Sequence, residues 1–382
     1  MPDAVVLGGG VAGSSLAIRL AALGWETILL DRQIFPRHKA CGEFLSPETR
    51  DIFKEIGVHD RLEALNPGWI ECTRLVFRHG GVVEANLDRP AWGLSRWAMD
   101  DTLLQAAEDA GAQVRTGTAV TSIAAESPGF RIAARSKGAS EMLHSRTAYA
   151  AWGARPRMEL SGKVKPEATR GKRAYIGLKA HLSGVDLNRA VELYFTRGGY
   201  VGLAPIENGL VNVAGLLPLD QARRRGGSIY ELLLAAAAEN GKLGERLREG
   251  TLLPGSQVSS APVYLSDRPI CWSDIPHIGD ACAMIPPLFG DGMSAALRTA
   301  RICARYGDLF LRGEISMEAW KQSYSQAVNA EYASILKWGR VLHTAASMPI
   351  LPRLWTTGTK IFPRLGGWMV QVTRLNGKMP FF

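Results

Sequence analysis

Apolar segments and a glycine-rich segment follow one another in the first part of the chain. Residues 4–8 are an apolar run, residues 13–23 repeat apolar side chains at helical spacing, and a second apolar run covers residues 27–30. Glycines separate the first run from the helical pattern, and Asp31 ends the second run. This order of elements predicts a strand, a tight turn, a helix and a parallel second strand.

Further along the chain, the pattern predicts a helix over residues 96–110, followed by short strands. The strands lie near residues 113–115, 120–124, 130–134 and 147–151. From about residue 171 the apolar period becomes two, which predicts antiparallel strands over 174–178, 191–195, 200–203 and 210–213. A helix over 228–238, a strand near 258–263 and two long helices, over 292–311 and 316–345, complete the prediction.

The first turn has the spacing Gly-x-Gly-x-x-Gly, with its glycines at positions 8, 10 and 13. Gly8 permits the tight turn, Gly10 lets the backbone approach a phosphate, and Gly13 allows the helix to pack closely on the strand. The amides at the start of the helix would then face a pyrophosphate. Asp31, 18 residues beyond Gly13, is placed to bind a ribose. The motif therefore predicts nucleotide binding.

The composition is that of a globular protein with a large core. The chain has 382 residues, 46% of them hydrophobic, and its five cysteines form no Cys-x-x-Cys pair. A large packed core in a reducing, cytoplasmic setting is expected, without a metal site or a disulfide framework. The first strand starts at residue 4, which leaves no room for a signal peptide, and no apolar run is long enough for a spanning helix.

The net charge of +9 is concentrated at the C-terminal end. No acidic residue follows Glu331, whereas seven basic residues and several large aromatic residues do. Residues 331–382 are therefore expected to form a basic, aromatic-rich helical segment. Three interpretations stay open: a helical cap with a solvated basic face, peripheral contact with an anionic membrane, and a cover over a hydrophobic pocket. Nucleic acid is not expected as a partner, because no recognition motif accompanies the charge.

A second set of motifs carries a family resemblance. It consists of Gly279-Asp280, Pro286-Pro287 and Gly290-x-Gly292, together with Arg96 ahead of a helix and the stretch Arg32…Pro36-Arg37…Cys41-Gly42. With the opening glycines, these motifs resemble the FAD-dependent group of aromatic hydroxylases, geranylgeranyl reductases and flavin-dependent halogenases. The resemblance covers most of residues 1–312. Residues 41–48 and 285–293 look most like oxidoreductases that tailor polyketides and phenolic lipids.

The resemblance implies an α/β fold class. Its core would be a discontinuous Rossmann-like FAD-binding domain made of residues 1–72, 91–170 and 265–330. A mainly antiparallel sheet would be inserted as a substrate domain, made of residues 73–90 and 171–264. The C-terminal helical segment of residues 331–382 would follow.

The resemblance also implies roles for individual residues. Asp280 would accept a hydrogen bond from a ribityl hydroxyl, Arg96 would approach the phosphate or ribityl portion, and the loop of residues 37–45 would border the isoalloxazine. The turn of residues 290–294 would place backbone amides beside the flavin pyrimidine edge. The expected cofactor-binding residues are Gly8, Gly10, Gly13, Asp31, Arg32, Cys41, Gly42, Arg96, Gly279, Asp280, Gly290, Gly292 and Met293.

The catalytic and substrate-binding residues are less defined. No nucleophile, metal-ligand or paired-carboxylate constellation stands out, and the flavin itself would carry the chemistry. His38 could shuttle protons, and Cys41 could be either a reactive or a buried structural thiol. The aromatic candidates for the pocket wall, each of which could equally belong to the core, are Phe44, Phe195, Tyr200 and Phe289.

Some positions depart from the family's patterns. Trp152-Gly153 stands where the hydroxylases and reductases commonly have Asp-Gly, so Trp152 is either a packing residue or a stacking partner near the cofactor or substrate. The run of residues 200–205 has Gly202 and Ala204 in place of bulky aromatics, which should enlarge the pocket over the flavin. Cys72 falls near the position of the halogenase lysine, which argues against halogenation.

The predicted function is an FAD-dependent monooxygenase. It would hydroxylate or epoxidise a hydrophobic aromatic or polyketide-like molecule, with NAD(P)H as electron donor and O2 as oxidant. One alternative is a reductase of prenyl or polyene double bonds. Another is a non-catalytic protein that binds flavin and a lipid.

Overall fold

A computed structural model describes residues 1–154 and 173–347 of the chain. Its strands are β1 (Ala4–Leu7), β2 (Thr27–Leu30), β3 (Phe44–Leu45), β4 (Gly68–Val76), β5 (Val82–Gly93), β6 (Gln113–Arg115), β7 (Thr118–Ala125), β8 (Phe130–Ser136), β9 (Ala139–Ser145), β10 (Thr147–Ala150), β11 (Tyr175–Ser183), β12 (Ala190–Thr196), β13 (Gly199–Pro205), β14 (Val211–Pro218), β15 (Thr251–Leu252) and β16 (Val258–Val263). Its helices are α1 (Val11–Ala22), α2 (Thr49–Glu55), α3 (His59–Glu63), α4 (Arg96–Asp109), α5 (Leu219–Arg225), α6 (Ile229–Ala237), α7 (Gly241–Glu249), α8 (Gly292–Leu311) and α9 (Met317–Ser347).

The first unit is a parallel sheet in the order β10-β1-β2-β6. Its strands are continuous apolar runs because both faces are covered. Ala4 and Val6 pack with the helices α1, α4 and α8 in one core, whereas Val5 and Leu7 pack against the sheet β7-β8-β9 in another. The strand–turn–helix–strand order predicted from the glycine motif is present, with α1 starting at Val11 rather than at residue 13.

The second unit is a larger sheet in the order β15-β11-β14-β13-β12-β4-β5-β3, with β16 also paired to β11. Its pairs are antiparallel except for β12 with β4. The residues on one face of β11, including Leu178 and Ala180, pack against α5 and α6. Lys179 and His181 alternate with them and therefore turn toward the first unit.

The large sheet takes in more of the early chain than residues 73–90. Strand β4 starts at Gly68 and β5 ends at Gly93, and a Cβ on either glycine would overlap the Pro205 carbonyl oxygen. These two glycines let the C-terminal end of β13 lie directly on the β4–β5 pair. The α/β fold class is confirmed, while the exact domain boundaries stay a prediction.

Helix α9 covers the back of the first unit. Its side chains Trp320, Tyr324 and Tyr332 are buried in the same core as α1 and α8, and the Tyr324 hydroxyl donates to the His277 carbonyl at 2.6 Å. Most of the basic, aromatic-rich segment predicted over 331–382 lies outside the described residues, as do residues 155–170 of the predicted FAD-binding domain. Within the described ranges, no helix combines the length and apolarity needed to cross a membrane.

Candidate functional site

The glycine turn after β1 has a backbone that other residues could not adopt easily. Gly8 has a φ of 122°, and a Cβ there would overlap the carbonyl oxygen of Ala151. A Cβ on Gly13 would overlap the Gly8 carbonyl oxygen, so α1 reaches β1 only because residue 13 has no side chain. The Asp31 carboxylate accepts hydrogen bonds from the amides of Gly9 (2.8 Å) and Gln33 (2.7 Å), which ties the end of β2 to this turn.

A cleft of about 490 Å³ begins at this turn and continues between the two units to the large sheet. Ten of the residues singled out in the sequence line it together: Gly8, Gly10, Asp31, Arg32, Cys41, Gly42, Phe44, Tyr200, Asp280 and Gly290. His38 lines it as well. The two glycine motifs, about 270 residues apart in the chain, therefore border one continuous space.

The other predicted residues lie around the cleft without lining it. Gly13 and Gly279 pack beneath it, since a Cβ on Gly279 would come within 2.9 Å of Ala12. Gly292 is the first residue of α8, and the buried Met293 follows it. Phe195 is also buried, and its ring stacks on Phe77 with 5.0 Å between centroids. The side chain of Phe289 lies outside the described part of the chain.

Basic side chains surround the space above Gly10. Arg96, only 4% exposed, comes within 3.4 Å of the position of a Cβ on Gly10, and it binds the Asp100 carboxylate through Nε (2.6 Å) and Nη2 (2.7 Å). Arg37 lies 3.3 Å from the same carboxylate, and Lys39 Nζ lies 3.9 Å from Asp280 Oδ2. Three cations near an open glycine backbone suit a diphosphate group.

The C-terminal motif is built from two short turns ahead of α8. Gly279 starts a 3-10 turn, and its amide donates to Thr299 Oγ1 at 2.9 Å. Gly290 is left-handed, with a φ of 73°, and packs against the ring of Phe44 so closely that a Cβ would overlap it. The loop after β2 and the start of α8 are thereby held together at one end of the cleft.

The large sheet forms the apolar floor of the cleft. Ala214 of β14 pairs with Gly202 of β13, which pairs with Leu193 of β12, so small side chains occupy the middle of the floor. The surrounding apolar wall residues are Val191, Leu203, Leu216, Val263, Met284 and Leu288. The ring of Tyr200 lines the same space, and its hydroxyl has no hydrogen-bond partner among the described residues.

A buried ionic network beside the cleft was missed by the sequence analysis. Glu43 Oε1 lies 2.9 Å from Lys179 Nζ, and Glu43 Oε2 lies 2.7 Å from His181 Nε2. Neither the Glu43 nor the Lys179 side chain is exposed to solvent. Burial would raise the pKa of Glu43, but the hydrogen bond from His181 and the charge of Lys179 together lower it below its ordinary value. Lys179 and His181 at alternate positions of an otherwise apolar strand were the available signal.

His38 connects this network to the cleft. Its Nδ1 lies 3.0 Å from Lys179 Nζ, and its ring packs against Trp97 (4.7 Å) and His181 (5.2 Å). Burial and the neighbouring Lys179 and His181 charges lower the pKa of His38 to about 4, although Glu43 acts in the opposite direction. His38 is therefore neutral at pH 7.

Trp152 lies at the nucleotide end. It lines both the main cleft and a small adjoining cavity of about 50 Å³, which also borders Asp31, Arg32 and Thr118. Its ring lies 5.6 Å from that of His277, whose pKa burial lowers to about 4. Trp152 is thus both a packing residue and part of the cavity wall.

Comparisons with known proteins agree with this geometry. The model of a protein family described as "FAD binding domain" matches residues 1–326. The menaquinone reductase of Mycolicibacterium smegmatis is 28% identical over 334 residues, which cover 79% of this chain and 75% of that protein. The flavin-dependent halogenase otaD of Aspergillus carbonarius is 33% identical over 127 residues, covering 31% of this chain and 25% of that protein.

Solved structures share the fold over nearly the whole chain. The flavin-dependent brominase Bmp2 superposes with a TM-score of 0.80 at 18% identity, covering 97% of this chain and 93% of that one. A geranylgeranyl bacteriochlorophyll reductase-like protein from Thermoplasma acidophilum gives a TM-score of 0.74 at 18% identity, covering 91% and 88%. The chain therefore belongs to the FAD-binding domain family, and it is a flavin-dependent oxidoreductase.

Proposed function

We propose that the enzyme reduces a carbon–carbon double bond in a hydrophobic, isoprenoid-type molecule such as a polyprenyl quinone. The observation that carries the proposal is the 28% identity with menaquinone reductases, which extends over four fifths of the chain. Monooxygenation, which the sequence alone favours, is not the activity that the names of the menaquinone reductases and the halogenases state. The apolar floor supports the proposal, because a polyprenyl chain needs an apolar surface and few polar partners.

The residues of the cleft fit an FAD molecule. Gly10 leaves space for the diphosphate because, of the residues that the structure describes, only Arg96, with Nη2 at 3.4 Å, lies near the position of a Cβ there. Gly8 is needed for the turn itself, since a Cβ there would overlap the Ala151 carbonyl oxygen. Arg96, Arg37 and Lys39 offset the diphosphate charge. Asp280 and the turn at Gly290 would contact the ribityl chain and the ring edge. When bound, the flavin accepts two electrons from NAD(P)H and supplies them to the substrate as a hydride.

The rest of the chemistry falls to the protein. The apolar floor excludes water and orients the double bond, while Gly202 and Ala214 give it room. Loop residues 37–42 and Phe44 line the cleft and would border the bound cofactor. Reduction of a double bond also needs a proton, and the cleft must provide a group that can release one.

The Asp280→Ala variant is expected to raise the Kd for FAD by about tenfold to a hundredfold, since a hydrogen bond to a charged group contributes about 1.5–3 kcal/mol. The variant should therefore purify with little yellow colour. Flavin absorbance per protein and titration of the apoprotein with FAD would measure the loss.

Two variants complete the Asp280 experiment. Asp280→Asn keeps an acceptor oxygen and should retain more FAD than Asp280→Ala. Asp220→Ala removes an exposed carboxylate from α5 and should bind FAD as the wild type does. Full FAD occupancy in Asp280→Ala would contradict the ribityl contact.

Product analysis separates the candidate activities. The FAD-loaded enzyme is given NADPH and a polyprenyl quinone, once without oxygen and once under ¹⁸O-labelled oxygen gas, and products are analysed by mass spectrometry. A gain of two hydrogens without oxygen supports reduction. Incorporated label supports monooxygenation, and no acceleration of NADPH oxidation by any substrate supports a protein that only binds flavin and a lipid.

Monooxygenation is the second candidate, and one observation favours it. Gly202 and Ala214 lie side by side on the floor, which leaves width for fused rings as well as for a chain. A polyketide-like aromatic molecule in the labelled-oxygen experiment tests this candidate directly.

A further inference from the structure

The buried network forms an unbroken hydrogen-bonded series that ends at the cleft. The series runs from His181 to Glu43 (2.7 Å), from Glu43 to Lys179 (2.9 Å), and from Lys179 to His38 (3.0 Å). The Glu43, Lys179 and His181 side chains are at most 3% exposed, whereas His38 lines the cleft. His38 is thus the one member of the series in contact with the space where a substrate would lie.

The loop of residues 37–45 has anchors other than the charges of Glu43 and Lys179. The Glu43 carbonyl already accepts from the Leu94 amide at 3.0 Å, and the Asn212 side-chain amide donates to the Cys41 carbonyl at 3.0 Å. A buried ion pair is often no more stable than apolar residues of similar volume, because desolvation offsets the attraction. The charges of Glu43 and Lys179 therefore point to a role beyond anchoring.

The geometry fixes which nitrogen of His38 carries its hydrogen. The Lys179 ammonium can only donate, so His38 Nδ1 is the acceptor of their hydrogen bond. A neutral imidazole then carries its proton on Nε2. Burial and the charges of Lys179 and His181 keep His38 neutral at pH 7, against the opposing effect of Glu43. An imidazole in this state can give one proton and take another at its opposite nitrogen.

We propose that His38 donates the proton that completes reduction of the substrate, and that Lys179 replaces this proton in the same event. This proposal rests on the reductase function proposed above. As the hydride from the reduced flavin bonds to one alkene carbon, the His38 Nε2–H bond breaks and a C–H bond forms at the other carbon. At the same time a Lys179 N–H bond breaks and an Nδ1–H bond forms.

The network regains its starting protonation state by taking up a proton from water in the cleft. After transfer Lys179 is neutral, and His38 carries its hydrogen on Nδ1. Once the product leaves, an O–H bond of a water molecule breaks to give a proton to Nε2, the hydroxide leaves through the cleft, and Nδ1 returns its proton to Lys179. This return restores the ion pair between the Lys179 ammonium and the Glu43 carboxylate, 2.9 Å apart. In this scheme His38 is the catalytic residue, and Lys179 and Glu43 act through it.

The first test needs neither substrate nor turnover. Nitrogen-15 NMR of histidine-labelled protein at pH 7 should show His38 with hydrogen on Nε2 and none on Nδ1, with the His38→Gln variant identifying its signals. Lowering the pH should keep it neutral until about pH 4. A proton on Nδ1 at neutral pH would overturn the proposal, because Lys179 could then not donate a hydrogen bond to His38.

The second test isolates the step that uses the proton. Enzyme reduced without oxygen is mixed with polyprenyl quinone, and reoxidation of the flavin is followed by absorbance. His38→Gln should slow this step by about a hundredfold to ten-thousandfold, the usual range for a lost general acid. Lys179→Arg keeps the positive charge, but the guanidinium does not release its proton, so this variant should slow the step similarly.

Matched controls make the outcomes decisive. His144→Gln alters a half-exposed histidine of β9 that does not line the cleft, and it should leave the rate unchanged. A wild-type rate in His38→Gln or Lys179→Arg would overturn the relay. If the wild-type enzyme reduces no polyprenyl substrate, the proposed function fails, whereas the NMR result still decides whether Lys179 donates to His38.

Discussion

Replacing Gly13 with alanine is expected to destabilise the protein by about 3 kcal/mol or more, at the upper end of the cost of overpacking a core. A Cβ at this position would overlap the Gly8 carbonyl oxygen and come within 3.1 Å of the Ala151 Cβ. The overlapped atom is backbone, so the clash is relieved only if α1 moves away from β1. That movement would also displace the turn at Gly10, and the variant should purify without FAD.

Urea unfolding and flavin absorbance of the purified variant measure the two effects. Gly241→Ala is the matched control, because nothing lies within 4 Å of a Cβ at the first residue of α7. It should change the unfolding free energy by at most about 1 kcal/mol, in the stabilising direction, since alanine is the better helix former. A Gly13→Ala variant as stable and as yellow as the wild type would contradict the close approach of α1 to β1.

The Lys179→Met variant is expected to lose about 3–5 kcal/mol of unfolding free energy, the usual result of leaving one charge of a buried pair without its partner. Glu43 would keep its hydrogen bonds from His181 and the Arg96 amide, but it would lose the ammonium group that lies 2.9 Å from its carboxylate. Adding Glu43→Gln to this variant should restore part of the loss, because glutamine removes the charge and keeps an acceptor oxygen. The exposed pair Arg224–Asp220 is the control, and Arg224→Met should cost at most about 1 kcal/mol.

The same ion pair should give the stability a characteristic pH dependence. The pKa of Glu43 is lower in the folded protein than in the unfolded chain, where it is about 4.3. Its contribution is therefore complete above about pH 4.3 and is lost as the pH falls through the folded-state pKa. The difference in unfolding free energy between wild type and Lys179→Met, measured with urea, should be larger above this pH than at the acid pH values where Glu43 takes up a proton. A difference that does not shrink at any acid pH at which the wild type stays folded would contradict the assignment.

Local patterns account for the parts of this protein that were predicted correctly. The nucleotide-binding turn depends on residues 8–13 and the two strands beside it, so its geometry follows from about thirty consecutive residues. Helix α6 is another local case: Ser228 and Glu231 form a capping box at its start, close to the predicted beginning at residue 228. The α/β class follows from the sum of such segments.

The network beside the cleft depends on contacts that no local pattern contains. Glu43 and Lys179 are 136 residues apart, and they meet only because β11 packs its polar face on the loop after β2. Phe195 and Tyr200 are a second example. They are direct cross-strand partners on β12 and β13, and yet their surroundings differ. Tyr200 lines the cleft, but Phe195 is buried by Phe77, a residue whose position depends on the β4–β5 turn. The alternation of side chains along a strand predicts which face of the sheet a residue is on, but it does not predict which other residues cover that face.

The small residues on the floor of the cleft have a consequence for how this enzyme could diversify. Gly202 pairs with Ala214 and Leu193 in the middle of the floor, and its lack of a side chain deepens the compartment there. A side chain added at Gly202 would shorten the space available to a guest molecule, whereas a larger one at Ala214 would also meet Lys179, its partner across β11 and β14. The fit of a guest molecule can therefore change at Gly202 while every residue of the ionic network and of the glycine turns stays the same.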